Sequence, residues 1–429
     1  MKKVLFPEKA SWLELIKRPV IEQKNLEKLV QPILDAVERD GDKAVKHFTK
    51  QFDGVSIEEI KVSASAIATQ SNRLDTKLKQ AIEQAASNIT LFHQNQQEFS
   101  KPLETSKGIR CWRKSVAIEK VGLYIPGGSA PLFSTLLMLA IPAKIAGARE
   151  IVICTPPMPS GEIADSIAYT CTLLELNTVF SIGGAQAVAA MAFGTESVPK
   201  VDKIFGPGNQ YVAQAKKLIA SSTQVAIDLP AGPSELLVIA DNSGIPSFIA
   251  ADLLSQAEHG ADSQVVFVST DETLIDRVEI ELEKQLQGLA RREIAEKALS
   301  NSLAVCVKSL DEAIHFSNLY APEHLILSVD APLALCEKVR NAGSVFLGHY
   351  TPESLGDYAS GTNHTLPTNG AARSYSGVSL DSFVKKITFQ ESSKEGLEII
   401  SETVQTMACA EGLTAHALAV SKRLEEKQP

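Results

Sequence analysis

The chain has 429 residues, 44% hydrophobic and 22% charged, with a formal net charge of −9. That is ordinary globular composition, in a chain long enough for two or three domains and for a core that needs no disulfides. The acidic balance and the lack of a long Lys/Arg run argue against nucleic acid and against anionic membrane as partners.

The N-terminus, Met-Lys-Lys-Val-Leu-Phe-Pro-Glu, is basic for only two residues before it turns acidic, so it is not expected to be a signal peptide. About the first hundred residues should be mostly helical. Residues 25–39 and 42–51 carry apolar side chains at helical spacing and join at Asp40-Gly41, and a longer pattern runs from Leu74 to about Gln97. The polar stretch from Glu98 to Gly108 reads as a loop. From Ala117 short Val/Ile strands alternate with helices. Strands are expected at 121–125, 150–154, 179–182 and 203–205, with helices over 131–147, around 162–175, from Ala185 and from Gln210. The longest apolar stretch, Pro131 to Ala148, is interrupted by Ser134, Thr135, Pro142 and Lys144, and none reaches the roughly 18 residues of a membrane span. After Pro233 the rhythm resumes. Strands are expected at 236–240, 264–269, 303–307, 325–329 and 344–347, with helices over 246–259, 274–287 and near 310–319. A βαβ series of this kind predicts two α/β units in tandem, each a parallel sheet covered by helices. From about Leu380 the tail reads as a short strand, 386–389, and two helices with no sheet of their own, which points to packing on a second subunit. The six cysteines, Cys111, Cys154, Cys171, Cys306, Cys336 and Cys409, show no Cys-x-x-Cys spacing and are expected to be reduced thiols of a cytoplasmic protein.

Three early strands end in glycines: Tyr124-Ile-Pro-Gly-Gly128, Ser181-Ile-Gly-Gly184 and Phe205-Gly-Pro-Gly-Asn209. Such turns let backbone amides face an anion at a helix N-terminus, in the crevice where open α/β sheets bind ligands. None is a full dinucleotide fingerprint, since Tyr211 stands where a third glycine would be, and the P-loop pattern is absent. Each alone is explained as a tight βα connection. Together they suggest a nucleotide-sized ligand, with Tyr124, Gln186 and Asn209 placed for stacking and polar contacts.

A second set of polar residues lies further along. In Leu-Ser-Gln-Ala-Glu-His-Gly, Gln256 and His259 are three apart and share a helix face, and Gly260 is expected to stop the helix as a left-handed cap. An imidazole beside an amide oxygen could be half of a metal site. The plain alternative is a capped surface helix with a terminal His favoured by the helix dipole. In Tyr320-Ala-Pro-Glu-His-Leu-Ile-Leu an acid and a base, Glu323 and His324, stand just before a buried strand. In a regular strand they would point to opposite faces, but Pro322 and the strand-start position allow both to reach one cavity. A loop ion pair is the alternative. Ser354 to His364 reads as a polar, glycine-flanked loop carrying Asp357 and His364. Glu411 and His416 straddle a turn between the tail helices, where Gly412 can end the first helix and Thr414 can cap the second. His47, His93 and His315 read as structural or surface residues, and His349 is uninformative.

Taken together, the stretches GLYIPGGSAPLFST, GGAQAVAA, KIFGPGN, DLPAGPSE, DLLSQAEHG, APEHL, SVFLG, GDYASGTNH and LTAH resemble the histidinol dehydrogenase family over nearly the full length. The resemblance implies a cytoplasmic enzyme that oxidises L-histidinol to L-histidine through L-histidinaldehyde, the last step of histidine biosynthesis, using NAD twice and one Zn²⁺ per site. By position it implies Gln256, His259, Asp357 and His416 as metal ligands and Glu323 and His324 as the catalytic pair. Substrate contacts would come from Ser234, Gln256, His259, His324, Asp357, Glu411 and His416, and NAD contacts from Tyr124, Gln186 and Asn209. The implied fold is two tandem, incomplete Rossmann-like parallel-sheet domains with helical N- and C-terminal extensions. Its expected parts are an arm over 1–25, a metal and catalytic domain over 26–123 plus 236–378, an NAD domain over 124–235, and a dimerisation segment over 379–429. The implied partner is a second copy of the chain, with active sites shared between subunits.

Two imidazoles, a carboxylate and an amide oxygen suit Zn²⁺, with Mn²⁺ as a lesser alternative. His324, with an ordinary pKa near 6.5, would serve as base at neutral pH, and Glu323 would activate the water that the aldehyde must gain. A thiohemiacetal on Cys111 or Cys154 is the alternative route, though neither cysteine has a neighbouring base in sequence. Two rival readings remain. A non-catalytic binding protein on the same fold would be expected to lack Glu323 or His324. A dehydrogenase for another amino alcohol would differ in pocket shape.

Overall fold

The computed structural model describes residues 1–18, 23–98, 100–127, 131–229 and 232–425. Part of the expected N-terminal arm, Gly128 of the first glycine turn, and Pro230-Ala231 of DLPAGPSE lie outside the described residues. In chain order the strands of the first half are β1 (Lys2–Leu5), β2 (Leu103–Ser106), β3 (Ile109–Ala117), β4 (Lys120–Tyr124), β5 (Glu150–Thr155), β6 (Val179–Ser181), β7 (Lys203–Phe205) and β8 (Ala226–Ile227). Those of the second half are β9 (Glu235–Ala240), β10 (Gln264–Ser269), β11 (Leu303–Cys306), β12 (His324–Ser328), β13 (Ser344–Leu347) and β14 (Val384–Ser392). Backbone contacts divide the chain into two units. One comprises Met1–Asn95 with Ile118–Phe383, and the other Gln96–Ala117 with Val384–Pro429.

The larger unit contains both expected parallel sheets. One runs β6-β5-β4-β7-β8 and the other β1-β11-β10-β9-β12-β13, with every pairing parallel. Apart from β1, the two share one topology. The first strand is central, the next two step out to one side, and the last two to the other, as in doubly wound nucleotide folds. Each sheet therefore has a switch point, between β4 and β7 in one and between β9 and β12 in the other. The strands carry near-continuous apolar runs because helices cover both faces; all of β10 and β12 is buried. The helix Phe133–Ala146 is apolar all round and is buried nearly throughout, as such a pattern requires.

Helix ends follow local chemistry. The helical stretch Gln23–Asp53 bends at Gly41 (φ 52°, ψ −131°), at the expected Asp40-Gly41 junction, in a conformation that glycine tolerates. The helix expected from Leu74 begins instead at Thr76, because the Asp75 carboxylate caps it by accepting from the Leu78 N–H at 2.9 Å. A separate helix, Ala64–Arg73, precedes it, capped by Ser63.

The smaller unit corrects two expectations. Its three strands form an antiparallel sheet in the order β14-β3-β2, so the tail does have a sheet and the expected loop contains a strand. β14 pairs along its whole length with β3, and Phe389 stacks on Trp112 with ring centroids 5.5 Å apart. No residue of either strand is buried, and neither carries the apolar run that marks the strands of the parallel sheets. The helices Lys394–Ala410 and Thr414–Glu425 follow, separated by Gly412 with φ 75°.

Candidate active site

β9 and β12 lie side by side, and both begin at one edge of the larger sheet, with His324 level with Leu236. Glu235, the first residue of β9, holds both members of the acid–base pair through its own peptide groups. Its N–H donates to Glu323 Oε2 at 2.9 Å, and its carbonyl accepts from His324 Nδ1 at 3.2 Å. Glu323 sits just before the strand, after a helix (Leu310–Tyr320) that ends on Ala321 in the left-handed region (φ 54°, ψ 67°). That conformation costs an L-residue about 1–2 kcal/mol. It turns the chain so that adjacent residues, which a regular strand would separate, face one cavity.

This cavity has a volume of about 730 Å³, and its lining includes Ser234, Gln256, His259, Glu323, His324, Asp357 and Asn209. Such a volume suits a small substrate together with part of a cofactor. Gln256 lies in the last turn of the helix Pro246–Ala257, fully buried, and neither its amide oxygen nor its nitrogen has a hydrogen-bond partner among the described residues. Gly260 is not the left-handed cap expected. The helix ends at Glu258, still right-handed (φ −76°, ψ −11°), whose N–H reaches Leu254 O, and His259 follows beyond the end. Asp357 lies on a short helix, Glu353–Tyr358, and not in a loop. Glu411 and His416 belong to the smaller unit.

Carboxylates crowd His324 at the cavity wall and behind it. His324 Nδ1 is 3.7 Å from Glu323 and 3.6 Å from Glu353, and its Nε2 is 3.6 Å from Asp357 Oδ1. Burial works against the imidazolium, but Glu353, Glu323 and Asp357 outweigh it and push His324 up to about 10. This departs from the ordinary value expected for that base. A divalent cation among the same carboxylates would oppose their effect and bring the ring back toward neutrality. Burial raises Glu323 to about 7 and Asp252, one turn before Gln256, to about 7; it raises Glu353 as well. Asp357 is the exception: burial opposes its charge, yet His324 holds it below the usual range.

The residues fit a cation. Donor atoms of His259, Glu353 and Asp357 lie within 4.8 Å of one another, and the unpartnered amide of Gln256 lines the same cavity. Buried polar atoms are normally satisfied, so an orphaned amide beside clustered carboxylates and an imidazole calls for a ligand of its own. Glu353 escaped the sequence reading because an acid in the first turn of a helix is ordinary. Asp252 and Glu235 escaped it because nothing local marks them. His364 is held between the Asp357 carbonyl at 2.8 Å and Thr135 Oγ1 at 3.0 Å, and burial lowers its pKa.

At the other sheet the switch point lies between Tyr124, which ends β4, and Gly206, which follows β7. Gly206 has φ 128°, and a Cβ there would strike the Tyr124 carbonyl. The turn is pinned by a buried Lys216–Asp228 pair. Asp228 accepts the Gly206 N–H and Lys216 donates to the Gly206 carbonyl, both at 2.8 Å. Tyr124 hydroxyl accepts from the Gly184 N–H at 3.2 Å, and burial pushes it up to about 12. Gln186 is fully buried with both amide atoms unpartnered among the described residues, and Asn209 caps the helix Gln210–Ser222 by accepting from the N–H groups of Tyr211 and Val212. Asn209 lines the cavity, whereas Tyr124 and Gln186 are set back from it. An orphaned amide beside the glycine turn that follows β6 and bonds the switch-point residue Tyr124 fits a dinucleotide.

Cys154 and Cys171 are buried and burial pushes both thiols well up, which removes Cys154 as a nucleophile at neutral pH. Cys111 lies in β3, in the smaller unit.

A family model described as histidinol dehydrogenase matches residues 16–424. The histidinol dehydrogenase of Bacteroides thetaiotaomicron is 54% identical over 424 residues, covering 99% of this chain and 99% of that protein. That of Haemophilus influenzae is 52% identical over 412 residues, covering 96% and 95%. The crystal structure of histidinol dehydrogenase from Elizabethkingia anophelis superposes with a TM-score of 0.97 at 51% identity, covering 99% of this chain and 98% of that one.

Proposed function

Because the chain belongs to the histidinol dehydrogenase family of oxidoreductases, we propose that it oxidises L-histidinol to L-histidine by way of L-histidinaldehyde, closing histidine biosynthesis. The observation that carries this reading is the convergence of Glu323 and His324 on one cavity with Gln256, His259 and Asp357.

Gln256, His259, Asp357 and His416 would hold Zn²⁺, which would bind the amine and imidazole of the substrate and fix its hydroxymethyl carbon. Tyr124, Gln186 and Asn209 would hold NAD, the hydride acceptor in both steps. The Glu235 carbonyl keeps a proton on His324 Nδ1, so Nε2 is the atom that takes the substrate hydroxyl proton in the first step. Glu323, tied by one oxygen to the Glu235 N–H, keeps its other oxygen for the water that adds to the aldehyde before the second hydride leaves. Ser234 and, from the smaller unit, Glu411 would bind the polar groups of the substrate, with Glu411 complementing its positive amine. The protein would work in the cytoplasm as a homodimer with shared sites.

The test is NADH formation with L-histidinol compared against other amino alcohols, with the product counted. Two NADH per histidinol and histidine as the end product are expected. Faster turnover of another amino alcohol, or one NADH with aldehyde released, would contradict the assignment.

A further inference from the structure

We propose that Glu353 is a direct ligand of the catalytic cation in the substrate-free enzyme, alongside Gln256, His259 and Asp357. The inference rests on the reading that those three residues hold a cation.

Position comes first. Glu353 and Asp357 are four residues apart on the helix Glu353–Tyr358, so they share one face of it. Donor atoms from both, and from His259 just past the end of the helix Pro246–Ala257, lie within 4.8 Å of one another. Two donors each about 2.1 Å from one cation can be at most about 4.2 Å apart. The three groups therefore need to close by well under an ångström to share an ion.

The second observation is an unmet need. Glu353 is 1% exposed. Its Oε1 faces His324 Nδ1 at 3.6 Å, while its Oε2 is buried without a hydrogen-bond partner among the described residues. His324 is already shared with Glu323 and Asp357, so one imidazolium stands against three carboxylates. The neighbouring guanidinium of Arg18 is committed to Glu235. A buried carboxylate oxygen with no donor is costly. A cation at the shared point satisfies it, and the unpartnered amide oxygen of Gln256, which lines the same cavity, is a further donor for that cation. Glu353 would then link the metal through one oxygen to the base His324 through the other. With Glu353 included, the ligands supplied by the larger unit are three oxygens and one nitrogen, a harder set than the two imidazoles, carboxylate and amide implied by the resemblance.

The experiment measures metal binding without substrate and without turnover. Full-length protein is stripped with a chelator and titrated with Zn²⁺ against a competing fluorescent chelator. Its Co²⁺ form is followed by visible absorption. Wild type is compared with Glu353→Gln, Glu353→Asp and His259→Asn, each checked for the wild-type far-ultraviolet circular dichroism. Removing groups that stand behind metal ligands costs about 10–100-fold in affinity. As a direct ligand, Glu353→Gln should therefore weaken Zn²⁺ by about a hundredfold or more and alter the Co²⁺ bands. Glu353→Asp, which keeps the charge but retracts the oxygen, should fall in between, so either folded variant decides the matter. Affinity within about tenfold of wild type with unchanged Co²⁺ bands overturns the proposal. If His259→Asn also binds as wild type does, the cation site itself is wrong, and that failure is separate from the failure of Glu353.

Discussion

Arg18 and Glu235 form a forked ion pair in the cavity wall: Nε bonds Oε1, Nη2 lies 2.8 Å from Oε2, and the guanidinium sits 4.0 Å over the Tyr320 ring. Arg18 comes from the N-terminal segment, more than two hundred residues from its partner in sequence. The pair matters because the peptide groups of Glu235 hold Glu323 and His324 in place. Arg18 is thus tied to the acid–base pair through one residue and one strand end.

Arg18→Lys should consequently damage catalysis although it keeps the charge, since an ammonium cannot reproduce the fork or the stacking. A misplacement of about 1 Å at the reacting groups can cost about a hundredfold, and a loss in kcat of that order is expected with the KM for NAD little changed. Wild-type kcat in steady-state assays would show that Glu235 is held without Arg18.

The second prediction separates the two oxidations. Loss of a general acid–base group costs about 10²–10⁴-fold. Glu323→Gln should show that loss mainly when histidinaldehyde is supplied, because only that half needs added water. His324→Asn should slow both halves, because the same base serves each. Equal rates of Glu323→Gln and wild type on the aldehyde would remove Glu323 from the chemistry.

The sequence made the α/β core legible and the site only partly so, for physical reasons that differ by residue. β10 and β12 are buried throughout and carry an unbroken apolar pattern, so local reading finds them. β2 and β3 form a local hairpin and β14 pairs with β3 from far along the chain, as in Phe389 against Trp112; none of the three has a buried residue, so no apolar run marks them. Glu323, His324, Gln256 and His259 stood out as polar residues against apolar elements. Glu353 looked like any acid in a first helical turn. The edge was also hidden. At the β4/β7 switch point the polar residues follow the carboxyl ends of the strands, as nucleotide folds lead one to expect, but Glu235 and His324 begin β9 and β12 and so lie at the opposite edge of their sheet.

A third prediction concerns metal and pH. Chelation should abolish turnover, and Zn²⁺ should restore it with the fold intact; full activity in a metal-free sample would contradict this. Stability should follow a definite sign. Burial raises Glu323 and Asp252 to about 7 from ordinary values of 4.5 and 3.8. Between those values the folded metal-free protein binds more protons than the unfolded chain, so its stability falls as pH rises through that window. Zn²⁺ competes with the same protons, so its affinity rises with pH. His364, lowered by burial, contributes a slope of opposite sign, but does so with and without metal and largely cancels from the difference. The gap in Tm between Zn²⁺-loaded and chelated protein should therefore widen from about pH 5 to about pH 8. A gap that is constant or narrows would show that these carboxyls do not take part.

The last prediction concerns who supplies His416. The tail has its own sheet, so lack of one is no longer the reason to expect a second subunit. The reason lies in its surface: Ile399, Met407, Leu413 and Leu418 of its helices and their connection are exposed on the single chain, an apolar set of the kind that partners cover. We expect Gln256, His259 and Asp357 of one chain to work with Glu411 and His416 of the other. His259→Asn and His416→Asn should each be inactive as homodimers. In a mixed dimer one site pairs the intact His259 with the intact His416, and the second site collects both defects. Random re-assembly of equal amounts makes half the dimers mixed, so unfolding and refolding the two variants together should restore about a quarter of wild-type activity. If one chain supplied both histidines, every site in the mixture would carry a defect. Refolding would then recover nothing, and His416 would have to be assigned to the metal of its own chain.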